Sequence, residues 1–199
     1  MIERIDIFVD SIFKMVFDDV NSEEIVKFMD YICSQDEGRD LSNIGGWQRE
    51  YNINENKHID NLIGRINEAA NQICRDAYES DVNVKVDNLW MNINFQHCYN
   101  MHHSHPGPTC VLSGCYYPRN VEQEQGEIMF IRKGDYSWAL QNGSLGDDLC
   151  NPLITTDHFE PITEKNTCLF FPNHMTHGVL INQIEKPRYS IAFNIVRFE

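Results

Sequence analysis

Nothing in this 199-residue chain approaches the roughly twenty consecutive apolar residues that a bilayer-crossing helix requires. Its first residues set Glu3, Asp6 and Asp10 among the apolar positions, which fits neither a secretory leader nor a membrane anchor. Positive charge is equally scarce: 16 Lys and Arg stand against 30 Asp and Glu, for a formal net charge of -14. Proteins that grip a phosphate backbone do so with Lys and Arg, so no nucleic-acid partner is expected. Cysteine pairing is missing as well. Cys33, Cys74, Cys98, Cys110, Cys115, Cys150 and Cys168 are odd in number and include no CxxC pair, which predicts reduced thiols and a cytoplasmic protein. There is no internal repeat, low-complexity tract or flexible linker, and the length accommodates one domain.

What is present divides near Ser80. Ile5, Phe8, Ile12, Phe13, Val16 and Phe17 recur at helical spacing and predict a first helix over 5–17. Asn21 or Ser22 offers a cap for a second, with Glu23 and Glu24 in its first turn and a stop near Gly38. Ile59, Leu62, Ile63, Ile66, Ala69, Ala70, Ile73 and Ala77 predict a third, longer helix. After Ser80 the period becomes two: Val82, Val84 and Val86, then Trp90, Asn92 and Asn94 alternating against Met91, Ile93 and Phe95. Further strands are predicted at 110–117, 127–132, 168–172, 178–181 and 188–196, separated by Gly, Pro and Asn turn signals. Short strands without intervening helices imply an antiparallel sandwich or barrel. The expected fold is mainly β with N-terminal helices, residues 1–80 forming a helical elaboration packed on a β core of residues 81–199 within one structural domain.

Five of the eight His fall where the β region begins and where it ends: His102, His103 and His105, then His174 and His177. In an extended segment residues i and i+2 point the same way, so His103 and His105 can offer both imidazoles to one ion, while His102 faces the opposite side. His177, delivered by the turn in FFPNHMTHGVL, completes a facial set that leaves coordination positions open, as an oxygen-activating iron site needs. His174, within the turn, is the alternative third ligand and is read as exposed. Eleven positions after His177 comes Arg188, with Ser190 on the same face of the last strand. An inward guanidinium without an anion is costly, so the two residues read as a receptor for a carboxylate.

HSHPGPTCVLSGCYY, GEIMF, CLFFPNHMTHGV and RYSIAFN, in that order, resemble the double-stranded β-helix (jelly-roll, cupin-like) core of the 2-oxoglutarate/iron(II)-dependent oxygenases, in particular a bacterial and phage group distantly similar to prolyl hydroxylases. The similarity extends to SNIGGWQ at Ser42 to Gln48. It implies a dioxygenase of the hydroxylase type, with Fe(II) on His103, His105 and His177 and with 2-oxoglutarate anchored by Arg188 and Ser190. Succinate and carbon dioxide would be the products of the cosubstrate. One departure stands out: His105 occupies the position where that superfamily usually has a carboxylate, which leaves a three-histidine set that zinc could also occupy.

Asn92, Asn94, Ser113, Tyr116 and Tyr117 are the candidate pocket wall, and Trp90 is read as core. Three rival classes carry weight, one of them a non-enzymatic metal- or ligand-binding barrel. A cupin-type metalloenzyme matches HSH and PNHMTH but lacks the acid expected shortly after HxH and leaves Arg188 without a role. A three-His zinc hydrolase or hydratase would use an open water position instead. The substrate, a small molecule or a peptide, is expected to be neutral or basic because a strongly acidic protein repels anions.

Overall fold

A computed structural model describes residues 10–105, 107–131 and 163–198, and the backbone of 158–159. The elements run β1 (Phe13–Val16), α1 (Ser22–Cys33), β2 (Asn43–Ile44), β3 (Trp47–Glu50), α2 (Lys57–Asp76), β4 (Val84–Asn94), β5 (Tyr99–His103), β6 (Cys110–Tyr117), β7 (Ile128–Ile131), β8 (His158–Phe159), β9 (Thr167–Pro172), β10 (Thr176–Val179) and β11 (Arg188–Arg197). They form two antiparallel sheets, a six-stranded one ordered β1-β9-β6-β11-β4-β3 and a five-stranded one ordered β2-β5-β10-β7-β8. Mostly β with two helices, this is the jelly-roll architecture expected. No helix among the described residues is long and apolar enough to cross a membrane.

The helices form where capping chemistry and apolar spacing agree. Asn21 caps α1 by accepting from the Glu24 amide, and Glu23 and Glu24 sit at the positive end of the helix dipole. Asn56 caps α2 by accepting from the amides of His58 and Ile59. The α2 stripe of Ile59, Leu62, Ile66, Ala70 and Ile73 is buried with Met91, Ile93, Ile191 and Phe193 of the six-stranded sheet in one core. That burial of one helix face is what holds α2 to the sheet. Two asparagines add a second device. Past Leu89 the edge of β4 has no β3 partner, and there Asn67 accepts from the Val86 amide while Asn71 bonds both polar groups of Val84. A strand edge that would otherwise be unsatisfied is closed by helix side chains.

Three expectations about the first eighty residues need correction. Residues 13–16 are not helical but pair with β9, Phe13 opposite Phe170 and Val16 opposite Thr167; residues 5–9 of that expected helix lie outside the described set. The second helix ends at Cys33, short of Gly38. Between the helices the chain adds an edge strand to each sheet, crossing from β2 to β3 through Gly45 and Gly46 at φ of 70° and 61°. A Cβ at Gly46 would stand 3.0 Å from the Ile93 carbonyl, so this crossing requires glycine.

Candidate metal centre and anion pocket

Two of the candidate ligands are a cross-strand pair: His177 of β10 lies opposite His103 of β5. Each ring turns Nδ1 to the backbone carbonyl two residues earlier, His103 to Met101 at 2.8 Å and His177 to Met175 at 3.0 Å. A ring nitrogen facing a carbonyl carries the proton, so both Nε2 atoms present lone pairs, the orientation a metal ligand needs. His105 joins them from outside the strand. β5 ends at His103, and His105 is held in the following loop by reciprocal bonds with Asn173, its amide donating to the Asn173 carbonyl at 2.9 Å and its carbonyl accepting from the Asn173 side chain at 3.2 Å. The strand thus stops short of His105, yet the three rings converge.

The ligand-capable nitrogens of His103, His105 and His177 all lie within 4.8 Å of one another. Nε2 of His105 and Nε2 of His177 are 3.3 Å apart. Two nitrogens at about 2.1 Å from one ion, separated by about 90–110°, would stand roughly 3.0–3.4 Å apart, so this spacing fits a shared cation. Burial holds His177 at about 3 and His105 at about 4, with the neighbouring His103 adding to the effect at both. Both rings are therefore neutral near pH 7, the form that binds metal. His105 stacks on Trp90 at 5.6 Å and His177 packs edge-on against Phe171 at 4.7 Å, which fixes the rings in place. His102 is exposed and lies over Gly178, and His174 is exposed and 2.9 Å from Asp10; neither joins the cluster.

One partly open pocket runs from the three histidines to Arg188 and Ser190. Among the described residues its lining contains no Asp or Glu, in a chain of net charge -14. Arg188 is 2% exposed, donating to Ser190 Oγ and to the Tyr117 hydroxyl, each at 3.2 Å, while its Nε has no partner. Among the described residues no carboxylate pairs with it. A buried guanidinium with two neutral, long hydrogen bonds and an orphaned N–H is incomplete without an anion.

The expected pocket wall is placed unevenly. Asn92 lines the pocket. Tyr117 lies beyond the lining and accepts from Arg188 at 3.2 Å. Asn94 does not reach the cavity; it donates to Asn100, which does. Ser113 lies on the pocket-facing side of β6 but beyond the lining, donating to Asn194 at 2.9 Å. Tyr116 is corrected outright: consecutive strand residues face opposite sides, and its hydroxyl donates to Asn166 within the helix-side core. Trp90 is corrected the other way, since it is half-buried and forms a pocket wall.

Gln48 is a residue that sequence reasoning left unassigned. It lies opposite Asn92 across the β3–β4 ladder, 1% exposed, and donates to Asn92 Oδ1 at 2.9 Å. This bond fixes which end of the Asn92 amide faces the pocket. No local signal in the sequence marks it, because its partner lies 44 residues away.

A family model described as "Putative 2OG-Fe(II) oxygenase" matches residues 88–194. No curated protein matches the sequence. Among solved structures, a prolyl-4-hydroxylase from Pseudomonas putida is similar at 9% identity and TM-score 0.69, over 96% of this chain and 94% of that one. The viral collagen prolyl hydroxylase of Paramecium bursaria Chlorella virus-1, in its 2OG complex, is similar at 12% identity and TM-score 0.60, over 94% and 96%. HygX from Streptomyces hygroscopicus, with nickel and 2-oxoglutarate bound, is similar at 11% identity and TM-score 0.63, over 94% and 82%. At such identities the likeness is one of fold.

Proposed function

The chain belongs to the 2OG-Fe(II) oxygenase family, and on that premise we propose that His103, His105 and His177 hold its iron while Arg188 and Ser190 anchor its cosubstrate. The observation that carries the assignment is the joining, in one pocket whose described lining holds no acid, of three convergent imidazoles and a buried guanidinium that no described carboxylate pairs. Iron(II) with 2-oxoglutarate would supply the activation of dioxygen, one oxygen atom entering succinate as the keto acid loses carbon dioxide and the other entering a C–H bond of the second substrate.

The residues have separable tasks. The Met101 and Met175 carbonyls hold the tautomers of His103 and His177. With three neutral ligands the site keeps the whole charge of a divalent ion, one unit more than a set containing a carboxylate, which favours a dianionic cosubstrate. Arg188 pairs with its distal carboxylate, Ser190 adds a hydroxyl, and Tyr117 holds the guanidinium from the other side. Asn92, oriented by Gln48, offers its amide to the pocket interior. Phe171, Ile128 and Val179 give apolar walls that keep water from the site.

The reaction type proposed is hydroxylation, supported by the similarity of fold to prolyl hydroxylases. Six described cysteines are free thiols, which supports a reducing compartment such as the cytoplasm. The test is metal content. Wild-type protein reconstituted anaerobically with Fe(II) is expected to retain one ion per chain, and each of His103→Ala, His105→Ala and His177→Ala to lose it, while His102→Ala and His174→Ala keep it. Full occupancy in His177→Ala contradicts the assignment.

A further inference from the structure

Three residues of β5 stand against two of β10: His177 is paired with His103 and Val179 with Asn100, and the register shifts between them. On a regular strand residues i and i+3 face opposite sides, so this bulge is what lets Asn100 and His103 both line the pocket. Asn100 is 8% exposed. It stands on the wall that carries His103 and His177, across from the six-stranded sheet that carries Arg188 and Ser190.

The polarity of the Asn100 amide is set from outside the pocket. Asn94, 2% exposed and the register partner of Arg188, donates its Nδ2 to Asn100 Oδ1 at 2.9 Å. With that oxygen engaged, the N–H groups of Asn100 are the end left over, and among the described residues they have no partner. Asn92 repeats the device on the opposite wall: its Oδ1 accepts from Gln48 at 2.9 Å, and its Nδ2 reaches only the Trp90 carbonyl, at a long 3.5 Å. Two amides thus present donors to a pocket that already holds Arg188 and Ser190. Arg188 with Ser190 suffices for one carboxylate, and unpaired donors on the histidine side fit a second oxyanion.

Resting on the oxygenase reading above, we infer that Asn100 donates to the 2-oxo acid end of the cosubstrate and that Asn94 is the positioning residue that gives Asn100 this polarity. The dianion is then read at both ends. Its distal carboxylate meets Arg188 and Ser190 on the six-stranded sheet, and its 2-oxo acid carboxylate meets the Asn100 N–H on the strand of His103. A neutral amide is a less costly group to bury in the empty pocket than a second guanidinium would be. The same amide with its ends exchanged would set an oxygen against the anion, so recognition depends on Asn94 keeping the Asn100 oxygen engaged.

Zinc-loaded protein, in which no turnover consumes the ligand, is titrated calorimetrically with 2-oxoglutarate and, separately, with 2-oxovalerate, which shares the 2-oxo acid end and lacks the distal carboxylate. Wild type is expected to bind both, 2-oxovalerate more weakly. Asn100→Ala is expected to weaken both about tenfold, the loss of one hydrogen bond to a charged group. Asn100→Asp still accepts from Asn94 but sets a carboxylate against that of the ligand, and is expected to weaken both further. Asn94→Asp accepts from the Asn100 N–H and turns the Asn100 oxygen to the pocket, so it should weaken both by about as much as Asn100→Ala although it lies outside the lining. Arg188→Met should weaken 2-oxoglutarate alone. Zinc content, read on the same samples, is expected to stay at one ion per chain in every variant, which separates lost recognition from a lost fold. Wild-type affinities in Asn100→Ala and Asn94→Asp, a loss confined to 2-oxoglutarate in the Asn100 variants, or no binding of 2-oxovalerate by wild type that binds 2-oxoglutarate, overturns the inference. Failure of 2-oxoglutarate to bind wild type is a different result and removes the reading on which the inference rests.

Discussion

Replacing Arg188 by Met separates a residue built for a ligand from one built for stability. In the ligand-free protein the guanidinium is out of water, with two hydrogen bonds of 3.2 Å to neutral hydroxyls, an orphaned Nε and a ring contact with Tyr117 at 5.2 Å. Those contacts offset only part of the cost of burying a charge, and methionine fills similar space without one. Arg188→Met is therefore expected to raise the unfolding free energy of the ligand-free protein, by on the order of 1 kcal/mol. The same change should weaken 2-oxoglutarate binding by about 2–5 kcal/mol, at least thirtyfold, because the distal carboxylate loses its charge partner. Urea unfolding without ligand and calorimetric titration of 2-oxoglutarate into anaerobic iron-loaded protein read the two effects. The opposite pattern refutes the reasoning: a loss of about 3–5 kcal/mol in stability with unchanged affinity is the signature of a broken structural ion pair.

Gln48→Leu should weaken 2-oxoglutarate binding about five- to tenfold without altering iron content, since it releases the amide of Asn92; unchanged affinity removes the role given to Gln48. Gly114→Ala should lower the urea midpoint markedly, by about 1–3 kcal/mol or more, because the new Cβ would stand 2.2 Å from Phe193 and 2.5 Å from the Leu169 carbonyl. A midpoint equal to wild type contradicts that packing. His177 is held at about 3 when folded, against an ordinary value of 6.5, so below pH 6.5 the unfolded chain binds the extra proton. The stability of metal-free protein is thus complete above pH 6.5 and falls as pH drops towards 3, by about 2 kcal/mol at pH 5 from this residue. His177→Phe should flatten that slope in urea titrations at pH 7 and 5, and an unaltered slope assigns the effect elsewhere.

Much of the β half is legible in the sequence because each strand there buries at least one face and so carries a clear period. Residues 110–117 are a strand over the range expected, and β11 extends one residue past it. The first strand is not legible, since Phe13, Val16 and Phe17 satisfy a helical spacing while Phe13 and Met15 satisfy a strand's. Pairing with β9 decides between them, and that partner lies more than 150 residues away. β2 and β3, of two and four residues, are too short to show a period at all.

In the site, the histidines and Arg188 announce themselves by chemistry that a core does not need. The wall residues do not. Alternation says that Trp90 shares a face with Asn92 but not whether that face meets core or cleft, and for Tyr116 and Tyr117 it says only that they differ. The pairing of Gln48 with Asn92 depends on register across 44 residues and has no local signature.

The central claim is that this pocket couples 2-oxoglutarate to dioxygen through iron. The direct measurement is succinate formation by purified wild-type protein supplied with 2-oxoglutarate in air, with Fe(II) or Zn(II) as the only added metal. The account predicts iron-dependent and oxygen-dependent succinate, one per 2-oxoglutarate consumed, none with zinc, and a large loss in His177→Ala and Arg188→Met. Succinate at the same rate in His177→Ala, or no succinate from iron-loaded wild type, would contradict it.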